Sequence, residues 1–445
     1  MKTAINIFWF RRDLRLDDNC GLFHALSSDK KVLPIFIFDE DILKKLPKED
    51  ARVSFIHQEL ENINDQLLKI NSSLSVFHGK PMAIFKDLSE KYTIGGYGAS
   101  GRANMFCNVT GLTEDNIDFI VDESPERCGL KNQNIDFQTF KDQVIFERNE
   151  IVKQDGTPYK VYTPYSKKWL EAFQLKGNSF FPSEEKLENF IKNEQLQFLS
   201  LSDIGFTKSP IAVESYKVSP TIIDTYEETR NFPAQNSTSK LGTHLRFGTV
   251  SIRKMVEKAS ESNNITFLKE LIWREFFMQI LWHFPHTTTD SFKPQYDRIL
   301  WRNNEQEFAA WCQGKTGYPL VDAGMRELNE TGFMHNRVRM LVGSFLCKHL
   351  LIDWRWGEAY FAEKLHDYEQ ASNIGNWQWV AGTGVDASPY FRIFNPTTQI
   401  LKFDKKLEYI KKWVPEFQEL TYVAQIVEHK MARERCLKVY KEALK

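Results

Sequence analysis

Residues 366–396 read HDYEQASNIGNWQWVAGTGVDASPYFRIFNP. Asp367, Glu369, Asn373 and two indoles, Trp377 and Trp379, fall within thirteen residues, ahead of a Gly/Ala/Ser run and a rigid FNP end. With Glu369 to Trp379 helical, Glu369, Asn373 and Trp377 stand at i, i+4 and i+8 on one face, and Trp379 lies about 200° round from Trp377. One face is then available to a cofactor and the other to a second ligand. Any one of these residues alone fits a tryptophan-rich core helix with solvated carboxylates; the whole string does not read that way.

That string resembles the flavin-binding signature of the photolyase/cryptochrome family. By the resemblance, Asp367, Tyr368 and Glu369 belong to the FAD site and Asn373 sits beside flavin N5. The opening FWFRRDLRLDDN resembles the same family, whose first strand and loop border an antenna-chromophore cleft at the carboxyl ends of the strands, where open α/β sheets usually bind ligands.

The chain's 445 residues suffice for two domains with sizeable cores. A net charge of −1 excludes general basicity, so contact with DNA requires a local patch. Six cysteines (Cys20, Cys107, Cys128, Cys312, Cys347, Cys436) lack CxxC or metal-ligand spacing. Reduced thiols and no metal are expected. MKTAINIFWFRRDLR carries charge where a signal peptide needs an apolar core, and no run approaches the ~18 apolar residues of a membrane span. A soluble, cytoplasmic protein without membrane contact is expected, and a monomer.

Along the first 94 residues, short apolar runs (INIFWF, VLPIFIFD, LSVFHGKP) alternate with amphipathic segments, the pattern of a parallel sheet with crossover helices. Residues 95–131 break it and resemble part of the C-terminal domain of certain sugar methyltransferases. Their GxGxxG (Gly96, Gly98, Gly101) follows a short apolar KYTI and has no well-placed acidic partner, so a tight turn is preferred to a dinucleotide or S-adenosylmethionine loop. From about 140 to 212 the chain is charged and irregular, and beyond it the pattern is helical almost to the end. The expected organisation is an α/β plus all-α chain: a Rossmann-like parallel-sheet domain (1–139), a long connector (140–212) and a helical FAD- and DNA-binding domain (213–445).

Within the helical part, Tyr226 precedes a TSKLG string (Thr238, Ser239, Lys240, Leu241, Gly242). Small side chains and free N–H groups at a helix start suit a pyrophosphate, although a Ser/Thr-capped helix has the same look. The resemblance gives these six residues, with Phe267, Arg274 and Arg339, to FAD. FLKELIWREFFMQILWHFP places Glu270, Trp273 and Arg274 at i, i+3 and i+4. A salt-bridged amphipathic helix has that spacing too; by resemblance Glu270 and Trp273 meet damaged pyrimidines, with Trp379 as a second aromatic platform. A flipped-out base pair needs such a platform and a hydrogen-bonding carboxyl.

NRVRM supplies Asn336, Arg337, Arg339 and Met340. Asparagine with NRxRM resembles photolyases for cyclobutane pyrimidine dimers rather than (6-4) enzymes or DASH cryptochromes. Phe333 stands where many relatives have tryptophan. Trp301, Trp354 and Trp377, individually good core residues, together match the family's tryptophan triad for photoreduction. Arg230 and Arg392 are expected in a basic surface, and Gln399 matches a family DNA contact.

The resemblance implies light-driven repair of cyclobutane dimers in damaged DNA by electron transfer from excited reduced FAD. The alternatives are a cryptochrome-type blue-light receptor, against which NRVRM and Asn373 speak, and a methyltransferase resting on residues 95–131 alone. The family's folate contacts fall largely within elements missing from 95–131, so a folate antenna is not expected; a deazaflavin or flavin antenna is less clearly excluded.

Overall fold

The computed structural model describes residues 2–97, 117–121, 136–138, 140–192 and 196–445. They form two compact units that alternate along the chain: Met1–Ile145, Asn178–Ala212 and His244–Met255 make the first, and Phe146–Gly177, Val213–Thr243 and Val256–Lys445 the second.

In the first unit β1 (Thr3–Phe10), β2 (Val32–Asp39), β3 (Ser75–Gly79), β4 (Tyr92–Tyr97), β5 (Ile117–Val121) and β6 (Asp136–Gln138) form one sheet in the order β3-β2-β1-β4-β5-β6. Every pairing is parallel. The period-2 alternation of β1 sends Ile5 and Ile7 into one apolar cluster with Leu33, Ile35 and Ile37 and with Ile84, Phe85 and Leu88 of the Pro81–Lys91 helix. Phe8 and Phe10 point the other way, into a cluster with Leu22 and Leu26 of the Cys20–Leu26 helix and Leu60, Ile63 and Leu67 of the Ala51–Leu68 helix. Burial on both faces is why the strands read as unbroken apolar runs. Each such side chain contributes about 1.5–3 kcal/mol.

The polar loop after β1 is held by ions. Arg15 reaches Asp142 at 2.8 Å, and Arg253 reaches Asp18 and Asp142 at 2.9 Å each, all of them buried. Burial raises the Asp142 pKa, but Arg15 and Arg253 outweigh it and hold the carboxyl below its usual range.

Of the 95–131 stretch, β4 runs on through Gly95, Gly96 and Tyr97, so KYTI is not the whole strand. Gly98 and Gly101, with the readings of 95–131 as a graft and as the lost folate site, lie outside the described residues apart from that strand end and β5.

The second unit is helical. The stretch expected to be irregular holds the Tyr162–Lys176 helix. Its buried Tyr162, Tyr165, Ser166 and Trp169 recur at i, i+3, i+4 and i+7, a helical stripe that its many charges hide. Trp169 donates from Nε1 to the buried carboxylate of Glu275 at 2.7 Å, joining it to the Thr266–His283 helix. The main core gathers Trp311, Phe345, Trp354, Phe361 and Trp377 from successive helices.

The helix Trp354–Lys364 passes so close to Gln370–Ala381 that a Cβ on Gly357 would lie 2.1 Å from Trp377 Cη2 and 2.6 Å from Leu346 Cδ2. Gly357→Ala is therefore expected to destabilise the protein by about 1–3 kcal/mol through overpacking. The midpoint of urea unfolding measures it, and an unchanged midpoint would refute this account of the helix contact.

Candidate functional site

The TSKLG loop ends where Gly242 opens the Gly242–Phe247 helix. Lys240 in that loop has φ +55°, a left-handed conformation uncommon for a side chain-bearing residue. A Cβ on Gly242 would stand 2.9 Å from Asp367 Oδ2, so only glycine lets the loop approach this carboxylate. Asp367 in turn accepts from Arg339 Nη1 at 3.1 Å and Nη2 at 2.9 Å, a two-pronged pair. Arg339 Nε donates to Met334 O at 2.7 Å.

Glu369 is not inside the helix but caps it: its carboxylate accepts from Ser372 N at 3.1 Å, and the helix begins at Gln370. A carboxylate there satisfies a free N–H and meets the positive end of the helix dipole. One turn on, Asn373 Nδ2 donates to Glu358 Oε1 at 3.0 Å and to Glu358 O at 3.2 Å, leaving its oxygen for other partners. Tyr368 OH also donates to Glu358 Oε1, at 3.3 Å.

Asn336, Arg339, Met340, Asp367, Tyr368, Glu369, Asn373 and Trp377 line one cleft, with Gly343, Phe361, Leu365, Ser372, Asn376 and Val380. Apolar walls with amide, carboxylate and guanidinium groups at the edge suit a flat heteroaromatic ligand with polar margins.

Other expected residues lie outside that lining. Tyr226 meets Phe267 edge-to-face at 5.2 Å. Glu270 pairs with Arg230, which lies 5.5 Å from the Tyr226 ring. Trp273 stacks on Tyr162. Arg274 is half-buried on the same helix. Thr238 and Ser239 are half-buried and Leu241 is buried. Lys240 Nζ lies over the Phe333 ring at 3.2 Å, with Arg339 at 5.7 Å, so phenylalanine at 333 still serves as a cation platform.

Arg337 lies over Phe403 and contacts Asn231. Burial, then the charges of Arg230 and Arg392, depress its pKa, which places three cations together. Arg392 is exposed and Gln399 half-exposed on the Pro396–Phe403 helix or just before it. Trp379 is half-buried at the rim of the main core, whereas Trp377 is 3 % and Trp354 1 % exposed within it. The Trp354 Nε1–H has no hydrogen-bond partner among the described residues. Trp301 is half-buried at the core's edge, meeting Tyr440 edge-to-face at 6.0 Å.

Sequence reasoning missed Glu358, Tyr162 and His335. Glu358 is fifteen residues from the asparagine it holds, across a loop, and no periodicity links them. His335 directly before NRVRM was the one available sign: a side-chain acceptor before a helix start is a cap signal. Among the described residues, no group of three His, Cys, Asp or Glu side chains is placed to hold a metal, and no helix is long and apolar enough to cross a membrane.

The family model for the FAD binding domain of DNA photolyase matches residues 267–421, and that for DNA photolyase matches 6–96 and 126–186. The model for the C-methyltransferase C-terminal domain matches 74–150, across the interruption. A deoxyribodipyrimidine photo-lyase from Agrobacterium fabrum is 36% identical over 99% of this chain and 98% of its own length. The crystal structure of a bacterial class III photolyase from Agrobacterium tumefaciens gives a TM-score of 0.79 at 32% identity, over 100% of this chain and 98% of that one. That of an archaeal photolyase from Sulfolobus tokodaii with two FAD molecules gives 0.79 at 31%, over 99% and 100%.

His335 caps the Asn336–Ser344 helix by accepting from Arg337 N through Nδ1 at 3.2 Å, which requires the neutral ring. Burial, with Lys240, Arg339 and Arg337 nearby, lowers its pKa to about 4. The unfolded chain binds this proton near pH 6.5, so stability is lost as pH falls from about 6.5 towards 4. His335→Asn keeps a capping oxygen and removes the titration. It should flatten the acid side of the stability profile by up to about 3 kcal/mol, read by urea unfolding between pH 7 and 4.5. Parallel profiles for the two proteins would sink the assignment.

Proposed function

The chain belongs to the DNA photolyase family, and from that premise we propose that it binds FAD in the Asn336–Asn373 cleft and repairs cyclobutane pyrimidine dimers in damaged DNA under light. The observation that carries this reading is the joining of Gly242, Arg339 and Asp367 at one edge of a cleft whose wall is Asn373 and Trp377. These residues fit the cofactor: a cationic and carboxylate margin beside TSKLG for the polar tail, and apolar walls for the ring.

FAD, when bound and reduced, supplies on excitation the electron that opens the cyclobutane ring and receives it back. The chain's own groups position and protect. Asn373 directs its N–H donors at Glu358, so its oxygen is the atom left for the cleft, an acceptor matched to a ring nitrogen that carries a proton. That orientation favours the reduced cofactor. Met340, Phe361, Leu365 and Val380 keep water from the ring.

Arg230, Arg337 and Arg392 meet DNA phosphates with Gln399, which makes binding strongly salt-dependent. Glu270, Trp273, Asn336, Met340 and Trp379 receive the flipped-out dimer. Trp377, Trp354 and Trp301 pass electrons inward from a half-exposed indole through two buried ones. The described cysteines Cys20, Cys312, Cys347 and Cys436 are free, which supports a place in the reducing cytoplasm; we take the enzyme to act as a monomer.

Trp273→Ala should retain FAD and lose about 1–3 kcal/mol of dimer-DNA affinity, measured by fluorescence anisotropy on dimer-containing and intact duplexes; equal affinity for the variant and the parent would remove Trp273 from the pocket. Trp377→Phe should keep the fold and the repair activity of chemically reduced enzyme yet slow photoreduction of oxidised FAD more than tenfold. Photoreduction at the parental rate would exclude Trp377 as the last step of the relay.

A further inference from the structure

The GTPYKVYTPYSKKW stretch has no part in the reading so far, yet its Tyr162 lies flat on Trp273: ring centroids are 3.6 Å apart and the planes 7° from parallel. Three further contacts fix that ring. Its hydroxyl donates to Lys269 O at 2.7 Å, one turn before Trp273 on the same helix, and Phe276 abuts it edge-on at 5.8 Å. Its backbone N–H donates to Asp386 Oδ2 at 3.1 Å, in the loop that follows the Trp379 helix. Tyr162 is 8 % exposed, whereas Trp273 is only half-buried.

A half-exposed indole on a helix surface has rotamer freedom that a stacking platform must lose when a base lands on it. Tyr162 removes that freedom beforehand. It covers one face of Trp273, Phe276 takes the ring edge-on at 5.6 Å, and the indole plane is set before any ligand arrives. We propose that Tyr162 is a positioning residue for substrate: it pre-orients Trp273 as the platform for the flipped pyrimidine dimer and, through Asp386, couples that platform to the loop after Trp379. The proposal rests on the assignment of Trp273 to the dimer pocket. Tyr162 does not touch the dimer in this arrangement; it acts through the indole.

The experiment compares Tyr162→Met, which fills a similar volume without a flat face, Tyr162→Phe, which keeps the ring and drops the hydroxyl, Trp273→Ala, and the Tyr162→Met/Trp273→Ala double variant. Affinity for dimer-containing and intact duplex DNA and the FAD content of each are measured. Tyr162→Met should weaken dimer binding about three- to tenfold, the worth of an aromatic pair, with FAD content and intact-DNA affinity unchanged. Tyr162→Phe should stay within about twofold of the parent, and the double variant should be no weaker than Trp273→Ala alone, because the tyrosine acts only through the indole. Dimer affinity unchanged in Tyr162→Met, equal losses on dimer and intact DNA, additive losses in the double variant, or loss of FAD would each overturn it. If Trp273→Ala itself leaves dimer affinity intact, the pocket assignment fails; if it weakens binding and Tyr162→Met does not, only the positioning role fails.

Discussion

Asp367 is the carboxylate on which the second unit's cleft is hung. It meets two segments that sequence keeps far apart, Gly242, where an added Cβ would crowd it, and the Arg339 guanidinium through two hydrogen bonds; two residues on lies the cap that starts the Gln370–Ala381 helix. Arg339 extends the linkage to Met334 O and hence to the start of the Asn336–Ser344 helix. The pair is only partly buried, with side chains 24 % and 19 % exposed, so its desolvation cost is moderate. Its value is geometric: a planar fork on a planar carboxylate admits few relative orientations. Since Asn373, Trp377 and Trp379 ride on the helix that Asp367 leads into, their placement follows from it.

The charge distribution answers how a chain of net charge −1 meets a polyanion. Arg230, Arg337 and Arg392 are close enough to depress the Arg337 pKa in spite of its stem packing over Phe403. Such crowding is unfavourable in the free protein, although Glu270 already pairs with Arg230; in the proposed DNA contact a phosphate would relieve what remains. In the first unit the cations are buried with their partners: Arg15 and Arg253 are consumed by Asp18 and Asp142 and stabilise a loop.

What the sequence made legible was whatever repeats locally. The apolar runs of β1 to β3, the face shared by Asn336 and Met340, and the deeper burial of Trp377 than of Trp379 all follow from a period of 2 or 3.6. Glu369 reads as a helical residue in the sequence because capping and helical positions differ by one residue in spacing, and only backbone geometry separates them. Tyr162 and Glu358 escaped for a different reason. Their partners, Trp273 and Asn373, come from other helices, and a contact between elements leaves no mark in either element's own pattern. The place of His244–Met255 in the first unit was hidden likewise, since Arg253 and Asp18 are 235 residues apart.

The solitary indole N–H of Trp354 carries a last consequence. An indole that gives up an electron becomes far more acidic, and in water near neutral pH it sheds its proton and is trapped as a neutral radical. Trp354 is 1 % exposed and its N–H faces no acceptor among the described residues, so in the proposed relay none of those residues would take the proton. The positive charge on that ring would then keep its mobility. Half-exposed Trp301 lies where solvent can take the proton. In the proposed relay the middle indole would conduct and the outer one would trap, a rectifier made from one unmade hydrogen bond.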